Sequence, residues 1–324
     1  MEIIDNPSQD EIKKAAKALK DGHLVAFPTE TVYGLGADAS NEKSVRRIYE
    51  LKGRPVTLPL ITHISSISFL EKWTTDIPNY AIKLAQHFWP GPMTLILKRK
   101  KNVSKLITSG QKNIGIRVPN NWCALELLKE FELFGGLGIA APSANRYKSI
   151  SPTSAIDVWK ELGDQFSSND MILDGGSCAI GIESTIIDCL GSSPIILRPG
   201  WITADMISEI LGEKLPQTKF QNLIKHSGSD LSHYLPKTPL IINVKPKPGD
   251  GLIALSKIET PIGVHRLSSP NSLESFAWGL YASFRKADEL KLNSIIVVLD
   301  ELGGLADAIM DRVTKAAWQS QKLK

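Results

Sequence analysis

Residues 24–64 read LVAFPTETVYGLGADASNEKSVRRIYELKGRPVTLPLITHI. Leu24–Phe27 is a short apolar run stopped by Pro28, which predicts a strand. Pro28–Ala39 is rich in hydroxyls and glycine and reads as a loop. Asn41–Leu51 has a helical pattern, and Leu58–Ile64 reads as a second strand. Strand, loop, helix and strand in that order point to an α/β fold.

Working outward, Ser8 and Glu11 form an S-x-x-E capping box, with Ile12, Ala15, Ala16 and Leu19 on one helical face and Gly22 as the stop. Downstream, strands are expected at Thr94–Leu97, Gly115–Val118, Gly138–Ala141, Met171–Leu173, Thr185–Cys189 and Ile195–Leu197. Helices are expected near Tyr80–Phe88, Ala124–Phe131, Ser154–Leu162 and Met206–Leu211. A polar stretch with prolines and a glycine–serine cluster follows, up to Pro239. Beyond it, Leu240–Val244, Gly251–Leu255, Ile262–Leu267 and Ile295–Leu299 read as strands. Helices are expected around Leu273–Phe284 and over Leu305–Ala317. The predicted organisation is a catalytic domain over 1–211, a linker over 212–239 and a small Rossmann-like, mostly parallel α/β domain over 240–324.

The 324 residues suit two domains, and 42% hydrophobic with 22% charged residues is ordinary for a globular protein. A net charge of +4 demands no nucleic acid but suits an anionic small molecule. The N-terminus lacks the basic-then-apolar pattern of a secretory signal, and no apolar run is long enough to span a membrane. Cys123, Cys178 and Cys189 are odd in number and lack CxxC spacing, so they read as core residues in a reducing cytoplasm. Lys98–Lys101, KRKK, reads as a solvated loop.

No GxxxxGK[ST] occurs, which excludes an ordinary P-loop. Gly34–Ala39 matches GxGxxA, but Pro28–Tyr33 intervene after the strand and no acidic residue ends the next one. The glycines read instead as letting the backbone turn sharply. Lys52-Gly53-Arg54-Pro55 places two cations before a proline, as a helix C-terminal cap or as phosphate ligands. Ala141–Asn145, Gly181–Thr185 and Leu197–Gly200 add hydroxyls and an arginine beside predicted strands. Together they offer what a polyphosphate pocket needs.

PTETVYGLGADA, KGRPVTLPLITHI, FWPGPMTLIL, IGIRVPNN, APSANRYKSISPT, DGG, GIESTIID and ILRPGWIT occur in the order and spacing of the YrdC-like family. Lys52 and Arg54 match its KxR signature, and Ser143 and Asn145 its SxN signature. His233-Tyr234-Leu235-Pro236, LYASFRKADEL and GGLADAIMDRVTKAA resemble the linker and second domain of the long form of threonylcarbamoyl-AMP synthases. The resemblance implies a YrdC-like open twisted sheet and a reaction of L-threonine, bicarbonate and ATP giving threonylcarbamoyl-AMP and pyrophosphate. A partner transferase would then pass the group to tRNA. It implies ATP contacts from Lys52, Arg54, Asn113, Ser143, Asn145, Ser151, Arg198 and Tyr234, and threonine contacts from Thr31, His63, Arg117, Ala141 and Ser184. No covalent nucleophile is implied. His63 would act as a base or only as a hydrogen-bond partner, and Mg²⁺ would arrive with ATP rather than at a dedicated metal site.

Two departures stand out. Members usually have Asn where this chain has Leu58, which removes one polar contact to ATP. The run Gly228–Ser232 replaces a Gly-Met-Lys-Tyr-like sequence before the His-Tyr pair. The competing expectations are an RNA-binding module using the family's concave basic face, a carbamoyl-transferring maturation factor and, last, a nicotinamide-dependent oxidoreductase. The second would bring an acylphosphatase-like segment and cysteine-rich fingers, and neither is present in the sequence.

Overall fold

The structure is a computed structural model and describes residues 2–215, 226, 228, 230 and 232–318. Of the linker expected over 212–239, residues 216–225, 227, 229 and 231 lie outside that set.

An open ten-stranded mixed sheet carries the first two thirds of the chain. Its strands are β1 (Glu2–Asp5), β2 (Val25–Phe27), β3 (Gly34–Asp38), β4 (Ile61–His63), β5 (Met93–Lys98), β6 (Asn113–Arg117), β7 (Ile139–Ala140), β8 (Met171–Asp174), β9 (Thr185–Asp188) and β10 (Ile195–Arg198). They lie in the order β1-β8-β2-β3-β7-β4-β6-β5-β9-β10. The helices are α1 (Gln9–Lys20), α2 (Glu42–Lys52), α3 (Leu70–Trp73), α4 (Asn79–Phe88), α5 (Trp122–Leu133), α6 (Ala155–Leu162) and α7 (Ala204–Leu211). The capping box forms at α1: the Glu11 N–H donates to Ser8 Oγ at 3.4 Å, and the Ser8 N–H to Glu11 Oε2 at 2.8 Å. Asn41 caps α2, and Gly53 ends it with a left-handed φ of 61°.

The second, four-stranded sheet is parallel throughout. It comprises β11 (Leu240–Ile242), β12 (Gly251–Ala254), β13 (His265–Ser268) and β14 (Ile295–Val298) in the order β11-β14-β12-β13. Helices α8 (Leu273–Leu290) and α9 (Leu305–Ala316) pack with it. Its core does not stop at its own elements. Val32, Ile150, Ile180 and Ile182, from loops of the large-sheet part, share a cluster with Tyr234, Phe276, Leu280, Phe284 and Ile309. The three cysteines are free and buried, and burial pushes the Cys123 thiol up to about 12.

One expectation fails in an instructive place. Gly34–Asp38, read as loop, is β3, buried along its whole length and paired antiparallel to β2 and β7. Its glycines serve close packing and not a turn. A Cβ on Gly36 would lie 2.8 Å from both Phe27 Cε1 and Ile139 Cγ2. Strand β1 and helix α3 were also not anticipated.

Candidate functional site

Loop 28–33, β4, the end of β6, the loop after β7, the start of β9 and the end of β10 converge on one cavity. Gly228, His233 and Tyr234 cover it. Its volume is about 40 Å³. Parallel pairing of β4 and β6 puts His63 opposite Arg117, and Ala141 is tied to Ile61 by a 2.9 Å backbone hydrogen bond.

Arg117 is the best-tethered cation there. Its Nη1 donates to Thr31 Oγ1 at 2.9 Å, its Nε donates to the Gly91 carbonyl at 3.3 Å, and its Nη2 lies 2.7 Å from Glu30 Oε2. Thr31 and Thr29 share a 2.8 Å hydroxyl contact, and Thr29 donates on to the Val32 carbonyl. This relay fixes the guanidinium plane before any ligand arrives. Opposite it, Arg198 donates through Nε and Nη2 to the Ser184 carbonyl at 3.0 and 2.8 Å, and through Nη2 to Ser184 Oγ at 3.1 Å. Thr94 completes the cluster, 2.8 Å from Ser184 Oγ.

His63 is buried. Desolvation, then the neighbouring Arg117 charge, pulls its imidazole from an ordinary 6.5 down to about 3, so it is neutral at physiological pH. His63 Nδ1 and the Tyr234 hydroxyl, both in the cavity lining, have no hydrogen-bond partner among the described residues. Buried polar atoms are rarely left so, and two in one cavity mark a place for a polar ligand.

The two signature motifs lean on each other. Lys52, almost fully buried, donates its Nζ to the carbonyls of Ser143, at 2.5 Å, and Asn145. Desolvation and then the Arg54 charge push its ammonium well below the usual lysine range. Lys52 therefore braces the loop that presents Ser143 to the cavity and does not line it itself. Arg54 donates to the Pro59 carbonyl at 3.1 Å, and its buried Nε has no partner among the described residues. Asn145 donates to the Arg146 and Ser149 carbonyls at 2.8 Å, and its Oδ1 has no partner among the described residues. Ser151 Oγ donates to Glu183 Oε1 at 2.6 Å.

Thr31, His63, Arg117, Ala141, Ser143, Ser184, Arg198 and Tyr234 thus meet in one cavity lining. Lys52 bonds the lining residue Ser143 and also Asn145, Ser151 bonds the lining residue Glu183, and Arg54 lies outside the lining, bonded to Pro59. Asn113 does not join the lining. It opens β6, four residues from Arg117, which is roughly 13 Å along a strand. Leu58 is buried, and its carbonyl accepts from Tyr49 Oη at 3.1 Å.

Several residues escaped the sequence reading. Glu30 and Glu183 stand in the sequence among hydroxyl residues, with no pattern to mark them. Burial alone would raise the Glu183 carboxyl, yet Arg312, Arg198 and the Ser151 hydroxyl hold it at about 2. Arg312 offered one signal, a charge on the face that α9 buries with Ala308, Ile309 and Val313. No helix among the described residues is long and apolar enough to cross a membrane.

Residues 17–200 match the family model described as "Telomere recombination", and residues 202–318 match "Threonylcarbamoyl-AMP synthase, C-terminal domain". The chain is 39% identical to the threonylcarbamoyl-AMP synthase of Bacillus subtilis, over 98% of this chain and 95% of that one. It is 37% identical to that of Pyrococcus abyssi, over 94% of each. The fold superposes on the crystal structure of P. abyssi Sua5 complexed with L-threonine with a TM-score of 0.87, at 35% identity and 98% coverage of both chains.

Proposed function

The chain belongs to the threonylcarbamoyl-AMP synthase family in its long form, and on that premise we propose that it condenses L-threonine, bicarbonate and ATP into threonylcarbamoyl-AMP and pyrophosphate. It is then a nucleotidyltransferase serving threonylcarbamoyl-adenosine modification of tRNA, with a separate transferase taking up its product. We read residues 1–211 as the catalytic domain, 212–239 as a linker across the site and 240–324 as the second domain.

The observation that carries this reading is the convergence of two tethered guanidiniums, a neutral histidine and four hydroxyls (Thr31, Ser143, Ser184 and Tyr234) in one buried cavity. Threonine's amine adds to the carbon of bicarbonate, the bicarbonate hydroxyl leaves as water with a proton from the amine, and a carbamate results. A carbamate oxygen then attacks the α-phosphorus, and pyrophosphate leaves with the electron pair of the broken P–O bond. Neither step needs a protein nucleophile, so placement and charge neutralisation supply the catalysis. Arg117 pairs the threonine carboxylate through its planar fork, held by Glu30 and Thr31. Ser184 and the Ala141 backbone take threonine's remaining polar groups. Arg54, Ser143 and Arg198 face the phosphates, Ser151 and Asn145 support them, Lys52 braces their loop, and Tyr234 covers the nucleotide.

His63, at about 3, is too weak a base to take a proton from an ammonium group, so its role is a hydrogen bond from Nδ1 or to it. Glu30 and Glu183, the carboxylates at the site, are both engaged by arginines. Mg²⁺ would come with ATP and add charge neutralisation at the phosphates, while Glu30 and Glu183 stay with their arginines.

The test is pyrophosphate release by purified protein, leaving out threonine and bicarbonate in turn. Release that needs both is expected. Release indifferent to either one would overturn the proposal.

A further inference from the structure

Arg312 is the bulkiest side chain that is fully buried among the described residues. It stands on α9, beside the small sheet, yet its partners beyond α9 lie elsewhere. Nε donates to Glu183 Oε2 at 3.0 Å, Nη2 to the Glu183 carbonyl at 3.0 Å and Nη1 to the Pro199 carbonyl at 2.5 Å. Its guanidinium also lies 5.9 Å from the Tyr234 ring centroid. Within α9, Nη1 reaches the Ala308 carbonyl and Asp311. Apolar residues in place of the whole Arg312–Glu183 pair would fill this space at lower desolvation cost, since buried ion pairs seldom outperform apolar packing. The arginine therefore points to geometry rather than to stability.

The geometry concerns the two residues it brackets. Glu183 immediately precedes Ser184, and Pro199 immediately follows Arg198. The β9–β10 ladder is irregular between Ile196 and Arg198, so regular pairing does not fix the register there. Two guanidiniums do so instead. Arg198 clasps the Ser184 carbonyl from one side, and Arg312 joins the carbonyls of residues 183 and 199 from the other. The Glu183 carboxylate also takes the Ser151 hydroxyl and, from α8, the Tyr281 hydroxyl at 3.0 and 3.2 Å.

We propose that Arg312, aided by Tyr281, is a positioning residue for the reaction. Through Glu183 it sets Ser151, Ser184 and Arg198 in register, so the small-sheet part of the chain completes the site. This rests on the function proposed above.

The experiment compares wild type with Arg312→Lys, Glu183→Gln, their double variant and Tyr281→Phe. It reads kcat, KM for threonine and ATP, threonine affinity by calorimetry, and melting temperature. Lysine keeps the charge but lacks the planar fork that spans the three acceptors. Arg312→Lys should lose roughly ten- to a hundredfold in kcat/KM, with weaker threonine binding and a melting temperature within a few degrees. Glu183→Gln should lose a similar factor. The double variant should fall no more than about threefold below the worse single, as expected for residues on one path. Tyr281→Phe, which removes one oxygen, should lose about threefold or more in kcat/KM and decides the matter if Arg312→Lys does not fold. Single variants matching wild type in every constant while melting lower would overturn the proposal, as would fully additive losses. A wild-type chain that neither binds threonine nor releases pyrophosphate would bring down the functional reading first, and this inference with it.

Discussion

Arg54 and His63 are both buried polar side chains, one a charged donor and the other a neutral ring, and they carry different predictions. Arg54 is buried with its Nε unmet among the described residues. Removing such a charge-stabilising donor should lower turnover by about 10²–10³-fold in Arg54→Ala. A variant within threefold of wild type in pyrophosphate release would take Arg54 out of the site. His63 makes a different prediction. With its imidazole at about 3, it does not titrate between pH 5 and 8. His63→Asn should raise KM for threonine and leave the shape of the pH–rate profile unchanged. A near-neutral limb present in wild type and missing from the variant would restore the base. The sequence named most of the cavity's polar residues because their types and their places beside strands are local features. It could not say that Lys52 spends its charge on backbone carbonyls, because those carbonyls lie 91 and 93 residues away in the chain.

Among the elements, β3 shows why the reading stopped short. Helices were legible from caps and spacing, and α1, α2, α5 and α6 sit within a few residues of expectation. GLGAD has two glycines and an acid in five residues, a composition that argues against a strand. It is a strand because Phe27 and Ile139 crowd its backbone, and only glycine fits. Gly36→Ala should therefore destabilise by about 1–3 kcal/mol despite alanine's better intrinsic propensity, as overpacking does. Urea midpoints would measure it, and a stabilised variant would refute the packing account. Asn113 lies outside the cavity lining, at the far end of β6 from Arg117, and a motif carries no information about which end of its strand a ligand meets.

Across the whole molecule, the two sheets share a core, and Gly228, His233 and Tyr234, between them in the chain, line the cavity of the first. Ending the chain at Leu211 would strip cover from Val32, Ile150 and Ile182, and remove Tyr234 and Arg312 from the site. The truncated protein should bind an apolar dye and lose affinity for ATP; unchanged affinity by calorimetry would sink the proposed role of the linker. Acid tests the buried charges together. His63 and His233 both fall from 6.5 to about 3 in the folded chain, through burial first. The unfolded chain then binds more protons, so stability is complete above pH 6.5 and drops toward pH 3, by up to about 2.7 kcal/mol per pH unit for two groups. Glu183, at about 2 against an ordinary 4.5, adds its own loss as pH falls through that range. Denaturation midpoints that hold level from pH 7 to 4 would contradict this. The cavity itself has a consequence for timing. About 40 Å³ holds roughly three waters. That is little room for an amino acid, and with Gly228, His233 and Tyr234 in the lining we expect threonine to dock as this cover shifts. Observed binding rates should therefore climb with threonine concentration and then level off at a ceiling set by the protein's own motion. That ceiling would make the enclosure, and not the encounter, the clock of each catalytic cycle.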